Sequence, residues 1–395
     1  MSTDAIDQPV MQPLIGIKVI DMSRILAGPW AGQVFADLGA TVIKIERPNV
    51  GDDTRQWGPP YLKDKQGKET RDAAYFLSAN RGKQSLSIDI TQTSGQDKIR
   101  ELISDADVLI ENYKLGGLAK YGLDYESLKA INPGLVYCSI TGFGQTGPYA
   151  QRAGYDFMIQ AMGGLMSVTG ESDAQGGMPT KVGVAVTDIF TGLYSVIGIQ
   201  AALYERRTTG LGKHVDMSLF DCSAAILANQ ASNYLVGNVV PQRMGNTHPN
   251  IVPYQVFSSS NGHLIFAVGN DGQFANFCRV LGREELAVDR RYSSNAARVE
   301  NREVLCGLLQ QLLLEQTTEH WLECLKKVNV PCGPINSVEQ VFNDPQILSR
   351  DMVQTVDHEL AGDIKLAASP IQFAGEQKFK PAAPPVLSEG DKPEA

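Results

Sequence analysis

The sequence contains no CxxC pair among its six cysteines and no HxH or HExxH grouping among its five histidines. A zinc centre is therefore not expected, and Cys138, Cys222, Cys278, Cys306, Cys324 and Cys332 read as reduced, mostly core thiols. The first predicted strand is not followed by GxGxxG, which disfavours NAD and FAD. Positive charge is in deficit as well, with 35 Lys and Arg against 44 Asp and Glu and a formal net charge of -9. That argues against a general nucleic-acid or anionic-membrane binder, while leaving room for a local basic pocket. No uninterrupted apolar run approaches the roughly 20 residues of a membrane span. The longest, Ile189 to Leu203, is broken by Gly192, Gly198 and Gln200. Met1 to Gln8 has neither a basic n-region nor a transit peptide's arginines, so the cytoplasm is the expected location.

What is present is a soluble-type composition, 43% hydrophobic and 20% charged, over a length that suits two domains. Ile15 to Met22, a helix from Ala31 to Leu38 and Thr41 to Glu46 form a βαβ unit, the building block of a parallel sheet. Further strands are predicted at Ser85 to Ile90, Ala106 to Tyr113, Leu135 to Ile140 and Lys213 to Leu219. Polar groups cluster where these strands end, the place at which ligands bind in such sheets. From about Pro241 the pattern changes to a hairpin around Ser258 to Gly262, followed by helices, which reads as a separate α+β domain. Residues 1–13 and the Pro-rich segment from Ala382 read as loop or disorder.

The most informative stretch runs from Val182 to Tyr194. A β-branched run predicts a strand that ends at Thr187-Asp188, with a long helix following to Gly210. Asp188 then falls at the N-cap, where backbone N–H groups and the helix dipole keep a carboxylate ionised. The residues alone fit either a structural cap or a carboxylate nucleophile.

The chain resembles the class III CoA-transferases, a family that also holds carnitine and formyl-CoA:oxalate CoA-transferases and the α-methylacyl-CoA racemases. The likeness runs from about residue 12 to 385. It rests on Leu14 to Asp21, Leu26-Ala27-Gly28-Pro29, Leu38 to Pro48, Gly51 to Arg55, Asn80 to Lys83, Glu111-Asn112-Tyr113, Ser139 to Gly144 and Thr209 to Lys213, taken in order. The resemblance implies an α/β fold: a Rossmann-like large domain from residues 14–225 and 345–395, a smaller α+β domain from 226–344, and an interlocked homodimer. It implies Asp188 as the nucleophile that attacks an acyl-CoA thioester. It also implies Arg47, Asn112, Lys114 and Lys120 in the CoA groove, with Ala27 and Tyr155 lining the route to Asp188. CoA enters as substrate thioester, so no separate cofactor and no metal is called for, and the partners are acyl-CoA and a small carboxylic acid.

The racemases of this family pair their aspartate with a histidine, because moving a proton at carbon requires two acid/base groups. Here Tyr155 stands in that place, and a phenol of ordinary pKa is a poor base at neutral pH. Transfer is favoured over racemisation, and over a non-catalytic acyl-CoA binder. Arg243 to Gln255 lacks the four-glycine run of the formyl-CoA branch and is closer to enzymes using succinyl-CoA with glutarate. A dicarboxylate needs a cation for its distal end, and Arg243 or His248 is the candidate. Asp156 is expected beside the substrate as a positioning carboxylate.

Overall fold

In the computed structural model, which describes residues 10–389, the central sheet is wholly parallel. Its strands are β1 (Lys18–Asp21), β2 (Thr41–Glu46), β3 (Lys83–Ser87), β4 (Val108–Glu111), β5 (Val136–Thr141) and β6 (His214–Ser218). They lie in the order β3-β2-β1-β4-β5-β6, so the winding reverses between β1 and β4. At such a reversal the connections leave in opposite directions and open a crevice at the strands' C-terminal ends.

Both faces of the sheet are covered, which is why its strands read as near-continuous apolar runs. Val19, Ile110 and Cys138 point into one core with Ala31 and Phe35 of α1 (Ala27–Asp37). Ile20, Leu109 and Tyr137, each one residue away, point into the other with Ile99 and Ile103 of α2 (Thr93–Ile103). Two further helices belong to the first face: α3 (Asp156–Met162) and α4 (Val186–Thr209). A Cβ on Gly192 would sit 2.7 Å from the Ala27 carbonyl oxygen, so this glycine allows α4 to lie directly on α1.

Several expectations need correcting. Val182 to Ala185 is not a strand, and α4 begins at Val186, which puts Asp188 inside the first turn rather than at the cap. As a continuous helix of 24 residues, α4 contains an apolar window long enough to cross a membrane, although glycines interrupt its sequence. Half of that apolar window is buried inside the protein, with Thr191, Ser195, Val196 and Ile199 packed inward. The lead segment is placed from residue 10 onward: Val10 bridges Gln377, and Met11 is buried with its N–H on the Gln377 carbonyl. Residues 1–9 lie outside the described part.

The segment from Ala382 is held rather than loose. The Ala382 carbonyl accepts from Gly82 N–H, the Pro385 carbonyl accepts from Arg55 at 3.1 Å, and the Ser388 carbonyl accepts from the Ser87 hydroxyl.

The chain divides into two compact units. Among the described residues, one comprises 10–165, 182–237 and 345–389, and the other 166–181 and 238–344. Residues 226–237 thus group with the sheet, and 166–181 with the other unit. The second unit holds an antiparallel sheet of Tyr254–Ser258, His263–Ala267 and Cys332–Pro334. Its own core includes Phe257, Phe266, Phe274, Phe277 and Trp321.

Candidate functional site

A cavity of about 570 Å³ opens in the sheet-bearing unit, in the size range of small-molecule sites. The ends of β1 and β4 supply its floor. Asn112, just past β4, accepts from Arg24 N–H at 2.9 Å and donates to the Arg24 carbonyl at 2.7 Å. This clamp holds the turn between β1 and α1, where Ile25 takes φ 73°, a left-handed conformation costly for a β-branched residue. The Ile25 N–H bonds to Asp52 at 3.3 Å.

Under the turn lies a buried charge network. Lys44 pairs with Asp52 at 2.9 Å and donates to the Ser23 carbonyl at 2.9 Å, both side chains being fully enclosed. Burial works against the Asp52 carboxylate, but the charge and hydrogen bond of Lys44 and the Thr54 donors outweigh it and hold its pKa at about 2. At the mouth, Asp53 is shared by Arg24 at 2.9 Å and Arg47 at 2.5 Å. Two guanidiniums on one carboxylate leave a net positive charge that suits phosphate.

Asp188 lines the same cavity, as do Ala27, Arg47, Asn112, Lys114, Lys120 and Tyr155. Seven residues expected from the sequence are thus brought together, from elements spread over more than 160 positions. Lys120 rests over the Tyr121 ring at 4.6 Å. Gly142 and Gly154, both lining the cavity, touch backbone to backbone, and a Cβ on either would clash with the other's Cα.

The carboxyl of Asp188 is not held ionised, as its expected cap position implied. Burial first, and then the neighbouring negative charge of Asp156, push its pKa up to about 7. The cap bonds go to Asp156 instead, which accepts from Thr187 N–H at 2.9 Å and from the Thr187 hydroxyl at 2.5 Å. Gly183 makes no close contact, whereas Gly192 admits the Ala27 carbonyl.

Arg243 and His248 are not among the cavity's lining residues and have local partners in the second unit. Arg243 pairs with Asp173 and donates to the Glu171 carbonyl at 3.1 Å. His248 accepts from Asn250 N–H at 3.0 Å through Nδ1, and burial followed by the Arg302 charge lowers its pKa.

Sequence reasoning missed Arg24, Lys44 and Arg152, which also line the cavity. Arg24 had a legible signal, since it sits where a nucleotide-binding sheet carries its glycine turn. Tyr75 had none: it lies far from Asp188 in the chain, yet burial and then the charges of Asp188, Asp156 and Asp52 push its phenol up to about 12.

The model of CoA-transferase family III matches residues 14–390. The chain belongs to that family. This CoA-transferase is 53% identical to the succinate–glutarate CoA-transferase of Agrobacterium fabrum over 340 residues, covering 86% of this chain and 84% of that one. It is 41% identical to the human succinyl-CoA:glutarate CoA-transferase over 383 residues, 97% of this chain and 85% of the human protein. A crystal structure of a CAIB/BAIF family protein from Brucella suis superimposes with a TM-score of 0.82 at 54% identity, covering 96% and 97% of the two chains.

Proposed function

We propose that this CoA-transferase exchanges CoA between succinyl-CoA and glutarate or a close dicarboxylate, with Asp188 as the covalent carrier. The observation that carries the reading is the shared cavity. One carboxylate at the start of α4 lines the same space as Arg24, Arg47, Lys114 and Lys120. The cations suit the phosphates of CoA, and the carboxylate suits its thioester.

Asp188 attacks the succinyl carbonyl carbon, the C–S bond breaks, and CoA leaves as thiolate with the electron pair. The thiolate then attacks the aspartyl carbonyl of the anhydride, and succinate departs as carboxylate. Glutarate attacks the resulting aspartyl-CoA thioester, and CoA leaves again as thiolate. The thiolate then attacks the glutaryl carbonyl of the second anhydride, giving glutaryl-CoA and freeing Asp188 as carboxylate. Each step exchanges bonds of comparable energy, so one hard exchange becomes several easy ones. These steps call for no group beyond CoA itself.

Incubation with succinyl-CoA and a panel of free acids tests the reading. Transfer predicts glutaryl-CoA and an adduct on Asp188 by mass spectrometry. α-Deuterium exchange without an acceptor would instead indicate a racemase, and neither signal would indicate a binder.

The homodimer expected from the family is part of the same proposal. On α4, Phe190, Leu193, Tyr194 and Ile197 form an apolar stripe at helical spacing, with Ile197 62% exposed. Tyr234, Leu235 and Val236 add a second exposed apolar run on the same unit. A stripe of this kind suits burial by a second copy. Ile197→Glu is expected to shift the protein to monomer in light scattering. An unchanged mass would remove α4 from the interface.

A further inference from the structure

Both oxygens of Asp156 are taken by protein donors, and Asp156 is not among the residues that line the cavity. Oδ1 accepts from Thr187 N–H, the Thr187 hydroxyl and, at 3.4 Å, Asp188 N–H. Oδ2 accepts from the amide of Gln160 at 2.7 Å. Gln160, one turn further along α3 and fully buried, takes Val182 N–H at 2.9 Å through its own oxygen. These two side chains staple residues 182–188. The residue at the true N-cap, Ala185, has no side chain able to accept, and Asp156 performs the capping from a different helix.

We infer that Asp156 is a positioning residue for the nucleophile: it caps the helix of Asp188 from outside and opposes the free carboxylate with a second negative charge, a repulsion relieved when Asp188 is acylated. This rests on the reading of Asp188 as the covalent carrier.

In the attack, the Asp188 oxygen bonds to the thioester carbon and the negative charge leaves with the CoA sulfur. As anhydride and as thioester, Asp188 is neutral, so Asp156 then faces no like charge. Only the unreacted carboxylate is opposed, which makes it more basic and more nucleophilic than an isolated one.

The groups facing the pair are consistent with this. On its own helix Asp156 meets the uncharged Gln160 amide, and on α4 the Thr187 hydroxyl. From the helix Ala74–Ser78, Tyr75 faces both carboxylates and stays neutral at physiological pH, its phenol being pushed up to about 12. Burial and Asp156 raise the Asp188 pKa with no cation opposing them, although Arg24, Arg47, Lys44, Lys114, Lys120 and Arg152 line the cavity.

The test is the pH profile of kcat/KM for succinyl-CoA from about pH 5.5 to 9. Asp156→Asn keeps an acceptor for Thr187 and removes the charge. It is expected to move the acid limb down by about one pH unit and to lower the alkaline plateau about tenfold, the deficit shrinking toward acid pH. Gln160→Leu strips Oδ2 of its donor, leaves the charge less compensated, and is expected to move the limb up, so the idea stays testable if the first variant fails to fold. Thr187→Val removes the hydroxyl donor to Oδ1 and is expected to move the limb up as well.

A merely structural role predicts loss by one factor at every pH. That result, or limbs unmoved in both Asp156→Asn and Gln160→Leu, overturns the inference. Should Asp188→Ala retain transfer, the carrier reading fails instead. An inactive Asp188→Ala beside unmoved limbs sinks only the role of Asp156.

Discussion

Asp188→Asn is expected to lower kcat for CoA transfer by about 10⁴-fold or more, since losing a covalent nucleophile leaves only binding and orientation. The same variant is expected to melt higher than the parent at pH 8. The direction follows from the raised pKa. A carboxyl that ionises near 7 in the fold, against 3.8 ordinarily, binds its proton more tightly when folded. Its stabilising protonated form is present at low pH and lost as pH rises from about 4 through about 7.

Above that window the parent carries a destabilising charge that the amide lacks. A tenfold change in proton affinity is worth about 1.4 kcal/mol, so the gain is bounded at about 4 kcal/mol, and partial exposure of the site reduces it. It should vanish near pH 4. Thermal melts of both proteins at two pH values check the sign. Equal melting points at pH 8 would mean that the carboxylate is not opposed in the fold.

Arg55→Ala is expected to cost about 3–5 kcal/mol, a large share of the roughly 5–15 that holds a domain folded. The guanidinium is fully enclosed. It donates to Glu46 at 2.8 and 2.7 Å and to Asp72 at 2.6 Å, and lies 3.6 Å over the Phe76 ring. Removing it leaves two buried carboxylates without their main cation.

In the parent, burial works to raise the Glu46 pKa, but the Arg55 bonds and charge outweigh it and hold it low. Without Arg55, burial wins and Glu46 takes up a proton as pH falls. The destabilisation should therefore be greatest at neutral pH and smaller near pH 5. Urea midpoints at the two pH values measure this, and an equal loss at both would contradict the carboxylate account. Because Asp52 and Asp53 closely precede this residue, KM for the CoA substrate should rise as well.

The sheet was readable because its strands are buried on both faces and therefore stand out as continuous apolar runs. β1, β2 and β5 fall within a few residues of their expected places. The run Val182 to Ala185 misled for the same reason: β-branched residues there carry strand propensity, but no neighbouring strand edge takes them, and Gln160 does. Arg47, Lys114 and Tyr155 were legible through resemblance in motif, since no periodicity brings such distant positions to one cavity.

The burial of Asp188 was not legible at all. A helix start looks favourable to a carboxylate in sequence, and burial first, then the placement of Asp156 beside it, reverses the sign. For Arg243 and His248 nothing in the sequence signals the local partners they have, Asp173 for the one and Asn250 for the other.

The hold of the C-terminal segment on Arg55 has a consequence for biosynthesis. The Pro385 carbonyl that closes the Arg55 cluster lies 330 residues further along the chain. A polypeptide emerging at a few residues per second assembles β1, β2 and their buried acids long before that acceptor exists. The final contact around Arg55 thus waits until residue 385 has emerged from the ribosome, and the nascent chain carries an incomplete charge cluster until then.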